Sequence, residues 1–527
     1  MEYQTTEEYQ NRLRKLGEIR ALGIEPYPYR YSPSHDSSEL HEKYDSAKVG
    51  ESGDAEAGTT PLVSIAGRLV LFRAMGKNAF ATIQDKSGRM QVMFNREFTE
   101  VVGLAKDGEP PLKFIEKKID LGDIVGVEGY LFHTHKGELT VFAKKFTLLC
   151  KTLLPLPEKH SGLVDKEVRY RKRWLDLISN DSVQKTFRMR SRILSLIRRH
   201  FEDMGFLEVE TPILQNIYGG AQAKPFTTKL LSLDQTMYLR IAPEIALKKL
   251  IVGGMDRVFE IGKMFRNEGL DRTHNPEFTS IEAYAAMWDY NDMMRLLETL
   301  IEKLALAIHE TTVISYINPI TQETIKVDLK APWKRMTMKE SIKEYAQIDT
   351  DTLSDDQMRH ILEEAGMKRD EVKKATRGLL IAHLFETKVE EKLIQPHHII
   401  DHPIETTPLC KPHRNPQDRA EGLIERFESF ILGQELINAY SELNDPLLQR
   451  KLLEEQAERL AKGDQEANPL DEEFLEAICQ GLPPTAGFGM GIDRLVMLFC
   501  SCHSIRDVLY FPMMKSQTQE EVSVHTM

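Results

Sequence analysis

Residues 257–288 gather ionisable and aromatic groups onto one side of a β-hairpin. Strand residues two apart project to the same face. Glu260, Met264, Arg266 and Glu268 therefore share a face of RVFEIGKMFRNE, and Phe278, Glu282 and Tyr284 share one of EFTSIEAYAAM. The loop between them carries Arg272, His274 and Asn275. A guanidinium, several carboxylates, a phenyl ring and a phenol are too costly to bury together as core. They suit a substrate bearing both phosphate and ammonium groups.

Two later segments extend the set. FESFILGQELINAYSEL adds Glu428, and places Asn438, Tyr440 and Glu442 on one face. Glu435 is out of phase with that face, so it reaches the same site only through a bulge or near the turn at Gly433. GFGMGIDRL sets Gly487, Gly489 and Gly491 at a strand-to-helix junction just before Asp493 and Arg494. Glycine lets backbone approach a ligand, and an arginine at a helix start adds to the positive helix end. Alone, such a turn is weak evidence; as the last of three ordered elements it is strong.

The elements that must position these groups can be read from periodicity and turn chemistry. Thr6 to Leu22 reads as a short charged helix, broken by Pro26, Pro28 and Pro33, and GESGDAEAGTTP reads as a linker. From Leu62 to Cys150 short strands alternate with turns at Asp85-Lys86-Ser87-Gly88 and Gly137, the pattern of a small closed barrel such as an OB-fold. LPLPEKHSG is a proline-punctuated connector. Val183, Phe187, Leu194, Ile197 and Phe201 then recur at helical spacing, Gly205 ends the helix, and strand-like LEVETPIL comes next. Residues from about 311 to 395 read as an insertion, mixed at first and then helical.

A chain of 527 residues is too long for one core. The five cysteines, odd in number and without a CxxC pair, point to a reducing compartment. The polar, acidic start is unlike a signal peptide, and no apolar run approaches the ~20 residues that cross a bilayer. The expectation is a soluble, cytoplasmic protein with no membrane partner. Its net charge of -12 conceals a basic stretch: residues 166–199 hold eleven Lys or Arg against three Asp or Glu. Such a local surface can steer a polyanion.

The long helix with GFLEVETPIL, the FRNE…HNPEF hairpin and GFGMGIDRL, in that order, resemble the three motifs of class II aminoacyl-tRNA synthetases, specifically the subclass for lysine, aspartate and asparagine. The resemblance implies an α+β chain: an N-terminal OB-fold β-barrel, then a catalytic domain built on an antiparallel β-sheet flanked by helices. The corresponding domains are an N-terminal helix and linker over 1–60, an anticodon-binding barrel over 61–155, a linker over 156–180, and a catalytic domain over 181–527. A mainly helical insertion falls at about 315–395 in the last. In this family the first motif builds the interface of a homodimer.

Within the subclass, YGGAQAKPF, RIAPEIALK, THNPEFTSIEAY and ELINAYSELNDP resemble the lysine-activating members. That implies ATP-dependent ligation of L-lysine to tRNA(Lys) through a lysyl-adenylate, releasing AMP and diphosphate. An ε-ammonium in a partly dry pocket needs carboxylate partners or it loses its proton. Glu282 and Glu442, with Tyr284 and Tyr440, supply charge and acceptors, whereas an aspartate pocket would need Arg or Lys there.

By the same resemblance Gly220 and Glu244 hold the α-amino group, and Arg266 and Asn438 the α-carboxylate. Arg266 and Arg494 are the catalytic arginines, gripping the α- and γ-phosphates. His274 and Asn275 meet the bent triphosphate, Phe278 stacks on adenine, Glu268 reads its amino group, and Asn267 and Gly491 complete the ATP site. Glu428 and Glu435 hold Mg²⁺, up to three ions with bound ATP, as suits a hard cation. In the barrel Phe80 is placed to stack on an anticodon base, and Arg68, Gln84 and Glu138 to read base edges. His397, His398, His402, Cys410 and His413 match no standard zinc spacing, and no role is assigned to them.

Overall fold

Thr6 begins the first helix, α1 (Glu7–Ala21), its side chain accepting a hydrogen bond from the Tyr9 N–H. The structure, a computed structural model, describes residues 2–46, 49–157, 163–464 and 466–516. The chain divides into two units, residues 1–162 and 163–527. Residues 158–162 of the proline-punctuated connector lie outside the described residues.

Five strands close the barrel of the first unit: β1 (Leu62–Met75), β2 (Asn78–Gln84), β3 (Arg89–Asn95), β4 (Ile124–His133) and β5 (Leu139–Cys150). Strand β1 pairs with β2 and β4, β2 with β3, β4 with β5, and a β3–β5 pairing completes the ring, which removes free sheet edges. Alternation decides what faces inward: Ala79, Ala81 and Ile83 of β2 are buried, while Phe80 and Gln84 lie on the other face. The Asp85–Gly88 turn is held by Asp85 Oδ1, which accepts from the Ser87 and Gly88 N–H groups at 2.7 and 2.9 Å. Ile19 of α1 joins the barrel core. Ser52–Ala57, linker-like in composition, is a short helix whose Ala55 is fully buried.

The second unit is organised by one sheet of eight strands. They are β6 (Leu207–Glu208), β7 (Arg257–Phe265), β8 (Glu277–Ala286), β9 (Lys334–Thr337), β10 (His397–Pro403), β11 (Leu423–Ile431), β12 (Gln434–Ser441) and β13 (Thr485–Gly491), in the order β9-β10-β11-β12-β13-β8-β7-β6. The six central strands run antiparallel, and each edge strand is parallel to its neighbour, so the sheet is mixed. LEVETPIL pairs only at its ends, because Pro212 lacks an N–H.

Helices α2 (Asp181–Asp203), α4 (Tyr290–His309) and α5 (Ile492–Cys500) share one core with the sheet; α3 (Glu244–Val252) lies elsewhere, its Leu247 and Ile251 packing with Val258 and Tyr284. Phe201 of α2 stacks on Phe259 and Phe488, with ring centroids 5.1 and 5.8 Å apart. Burying side chains of this size contributes about 1.5–3 kcal/mol each. Because period-two alternation sends Ile281, Ala283, Ile437, Ala439 and Phe488 into this core, their strand neighbours go to the opposite face. There the site forms.

The insertion opens with a hairpin, Val313–Ile317 with Thr324–Asp328, and edge strand β9 before its helices. Those helices pack Met358, Leu362, Leu380 and Phe385 around Phe430 and Ile399 of the sheet.

Candidate active site

A cavity of about 380 Å³ lies against that second sheet face. Strand β8 lines it with Phe278, Glu282 and Tyr284, strand β12 with Asn438 and Tyr440, and β13 with Gly487, Gly489 and Gly491. Register explains the convergence: Glu282 lies opposite Gly489, and Gly489 opposite Asn438. The glycines are required by space. A Cβ on Gly487 would stand 2.3 Å from the Tyr284 ring and 2.5 Å from Glu442 Oε1.

One end of the cavity is acidic. Glu282 is buried, and Tyr284 Oη donates to its Oε2 at 3.0 Å. Tyr440 Oη donates to Glu244 Oε1 at 2.6 Å. Burial pushes the Glu282 carboxyl up, Glu244 adds repulsion, and the Tyr284 hydrogen bond and Arg266 oppose it, leaving the group at about 8. Glu282 has no ion-pair partner among the described residues. Gly220, at φ +87°, closes over Glu244, where a Cβ would come within 2.9 Å of the Glu244 Cβ. Glu260, which shares the Arg266 face in the sequence pattern, is spent on Arg240 at 2.5 Å and on Thr211.

Glu442 lies on the face that carries Asn438 and Tyr440, one layer deeper than the lining residues. It stands on the cavity side of the sheet, beside Tyr284 where a Cβ on Gly487 would point, and is fully buried and ion-paired with Lys248. Its Oε2 is the atom that meets the Lys248 ammonium. Lys248 was not singled out by sequence reasoning, although the Glu244/Lys248 spacing of four along a helix signals such a pair.

The other end holds the arginines and two further carboxylates. Arg266 sits over the Phe278 ring, 5.2 Å from its centroid, with Nε donating to the Ile241 carbonyl at 3.4 Å. No ion pair engages Arg266 among the described residues. Arg494 donates to the Glu435 carbonyl at 2.6 Å and lies 3.4 Å from its carboxylate and 3.1 Å from His274 Nε2. Asp493 anchors this turn, accepting from the Thr279 N–H at 2.7 Å and pairing with Arg190 of α2 at 2.5 Å.

Glu435 reaches the cavity through a bulge, because the β11–β12 register shifts between Ser429 and Phe430. Glu428, on the neighbouring strand, pairs with Arg426 at 2.5 Å, and Arg426 also donates to Asn438 Oδ1 at 3.1 Å. Burial raises both carboxyls, and Glu428 adds to the shift at Glu435. Two adjoining carboxylates form an oxygen-only donor set that fits a magnesium ion completed by phosphate oxygens.

Glu268, His274 and Asn275 also line the cavity, and the buried Asn275 Oδ1 has no hydrogen-bond partner. Asn267 does not line it; its N–H donates to the Lys224 carbonyl. In the barrel unit Arg68 lies opposite Gln84 and gives its guanidinium to the Gly122 carbonyl at 2.7 Å. Phe80 packs partly against Met93 and Phe142, and Glu138 stands in the β4–β5 turn.

His398 bridges Ser429 Oγ and Glu298 at 2.8 and 3.1 Å, His402 meets the Ile399 carbonyl, and no group among the described residues could hold a metal ion with three such ligands.

Two family descriptions match the chain: tRNA synthetases class II (D, K and N) over residues 165–515, and an OB-fold nucleic acid binding domain over 63–149. A lysine–tRNA ligase of Chlamydia caviae is 57% identical over 98% of this chain and 99% of its own. One from Chlamydia pneumoniae is 56% identical over 99% of each chain. One from Nostoc punctiforme is 45% identical over 96% of this chain and 87% of its own.

Proposed function

The chain belongs to the class II tRNA synthetases (D, K and N), and from that membership we propose that it ligates L-lysine to tRNA(Lys) at the expense of ATP. The observation that carries the choice of lysine is Glu282, a buried carboxylate in the cavity wall with no cation of its own. Glu244, Glu282 and Glu442 together carry more negative charge than Lys248 offsets, which suits a substrate with two ammonium groups and one carboxylate. An aspartate side chain would face repulsion there, and asparagine would leave the charge unpaired.

In the first step a lysine carboxylate oxygen attacks the α-phosphorus of ATP. The new O–P bond forms as the bond to the β-phosphate oxygen breaks, giving lysyl-adenylate and diphosphate. Alignment and charge neutralisation suffice, without a protein nucleophile. Arg266 holds the carboxylate and α-phosphate with its planar fork; Asn438 shares the carboxylate, and Glu244 with the Gly220 backbone takes the α-ammonium. Arg494, His274 and Asn275 receive the β- and γ-phosphates, and Phe278, Glu268 and Gly491 the nucleoside side. Glu428 and Glu435 would hold Mg²⁺, which supplies Lewis-acid neutralisation of phosphate oxygens. In the second step a terminal ribose hydroxyl of the tRNA attacks the adenylate carbonyl and AMP leaves. Phe80, Arg68, Gln84 and Glu138 belong to the anticodon side of this proposal.

A homodimer is part of it, supported by Leu207, Ile213 and Leu214, which stay exposed in the first-motif segment. Amino-acid-dependent exchange of diphosphate into ATP is the test. Exchange is expected with lysine, and exchange with aspartate or asparagine but not lysine would overturn the assignment. Sizing the same preparation at twice 60.5 kDa would support the dimer.

Lysine affinity should depend on pH with a defined sign. Glu282 is protonated below about 8 in the empty cavity and must ionise to meet an ammonium, so binding releases a proton. Affinity then rises about tenfold per pH unit from 6 towards 8 and levels above it. Calorimetric titration at several pH values reads this, and a flat profile would show that Glu282 is already ionised.

A further inference from the structure

Lys248 is a buried cation at the acidic end that the ligation chemistry does not use. Its side chain is 1% exposed, its Nζ lies 2.6 Å from Glu244 Oε1, and it contacts the Glu442 carboxylate. The ammonium also sits 5.5 Å from the centre of the Tyr440 ring and 5.9 Å from that of Phe474. Its titratable neighbours are Glu244 on its own helix, Tyr440 and Glu442 at the end of β12, Tyr284 and Glu282 on β8, and Cys410. Lys248 is thus the only cation paired with either Glu244 or Glu442 among the described residues.

Several carboxylates in one dry pocket cannot all stay charged unless a cation stands among them. We propose that Lys248 is a positioning residue of the lysine pocket, a resident ammonium that pairs with Glu244 and Glu442 and offsets their charge before the substrate's own ammonium groups arrive. The inference rests on the reading of this cavity as a lysine site. Helix spacing puts Lys248 one turn beyond Glu244, and Glu442 closes the pair from the opposite side. Burial opposes its charge, yet Glu244 and then Glu442 outweigh that and raise the ammonium above its usual range. At Glu442, burial pushes the carboxyl well above its usual range, and Lys248 is the largest influence against that shift. Without Lys248, the carboxylates share a proton that lysine must displace.

The test is calorimetric titration of lysine and of ATP with the full chain and with Lys248→Met, between pH 6 and 8. The parent protein is expected to release about one proton per lysine, from Glu282. The Met variant should bind lysine roughly 10–100-fold more weakly at pH 7, release about two protons, and keep ATP affinity within about threefold. Lys248→Arg keeps the charge and should return the release to about one proton, a result that does not require the Met variant to fold. Unchanged proton release in the Met variant, parallel loss of ATP affinity, or two protons released by the Arg variant would each overturn the inference. A parent protein that does not bind lysine removes the lysine-site reading itself, which is a different result from a parent that binds and a variant that is unaltered.

Discussion

Glu282→Gln is expected to reduce lysine-dependent diphosphate exchange by about 10²–10⁴-fold, seen mainly in the lysine KM. The amide keeps the size of the side chain and can still accept from Tyr284 Oη, so the loss reports charge. Leaving a buried ammonium without its carboxylate costs about 3–5 kcal/mol, which converts to that factor. ATP binding should be little altered, because Arg494 and His274 are at the other end of the cavity. The same substitution should stabilise the empty protein at alkaline pH. Folded Glu282 titrates at about 8 against an ordinary 4.5, so the folded state binds the extra proton and the parent loses stability as pH rises through that window. Gln has no such dependence. A lysine KM unchanged by the substitution, with no gain in thermal stability at pH 9, would assign Glu282 to the scaffold.

Arg266→Lys should lower the rate of exchange by about 10²–10³-fold with a smaller change in ATP KM, because one well-placed donor to a developing charge is worth that much. The charge survives, but a lysine is a point donor on a flexible stem and cannot span carboxylate and phosphate together. The structure makes Arg266 available for this work: its guanidinium rests on Phe278 rather than in an ion pair. Arg240, by contrast, is committed to Glu260, so it does not substitute. Single-turnover exchange measures the effect, and a variant retaining a third of the parent rate would exclude Arg266 from the chemical step.

Much of the site was legible in the chain because alternation in β-strands is a rigid rule. Once Glu282 is on one face, Phe278 and Tyr284 must be there too, and Ile281 and Ala283 must be in the core; the structure has them so. The phase argument for Glu435 also carried through: a carboxylate off the Asn438 face could share the site only with a bulge, and the β11–β12 register contains one. The glycines of GFGMGIDRL were readable as places of close approach, though not what approaches them. Gly487 admits the Tyr284 ring and Glu442, both parts of this protein, as well as opening to the cavity.

Helix and strand type, the order of the three motifs and the alternation of faces are local properties, set by residue spacing, and the amino-acid sequence determined them by itself. Long-range pairing is different in kind, since it depends on which distant groups the fold brings within a few ångströms. Only the tertiary structure decided that Glu442 is paired with Lys248, that Arg426 neutralises Glu428, and that Asp493 ties Arg190 of α2 to the start of α5. Charge in a dry pocket is a property of such pairings, because burial penalises every ion and each partner within reach alters the penalty. Residue types could say that carboxylates were present; only their neighbours set which of them would be waiting for a cation.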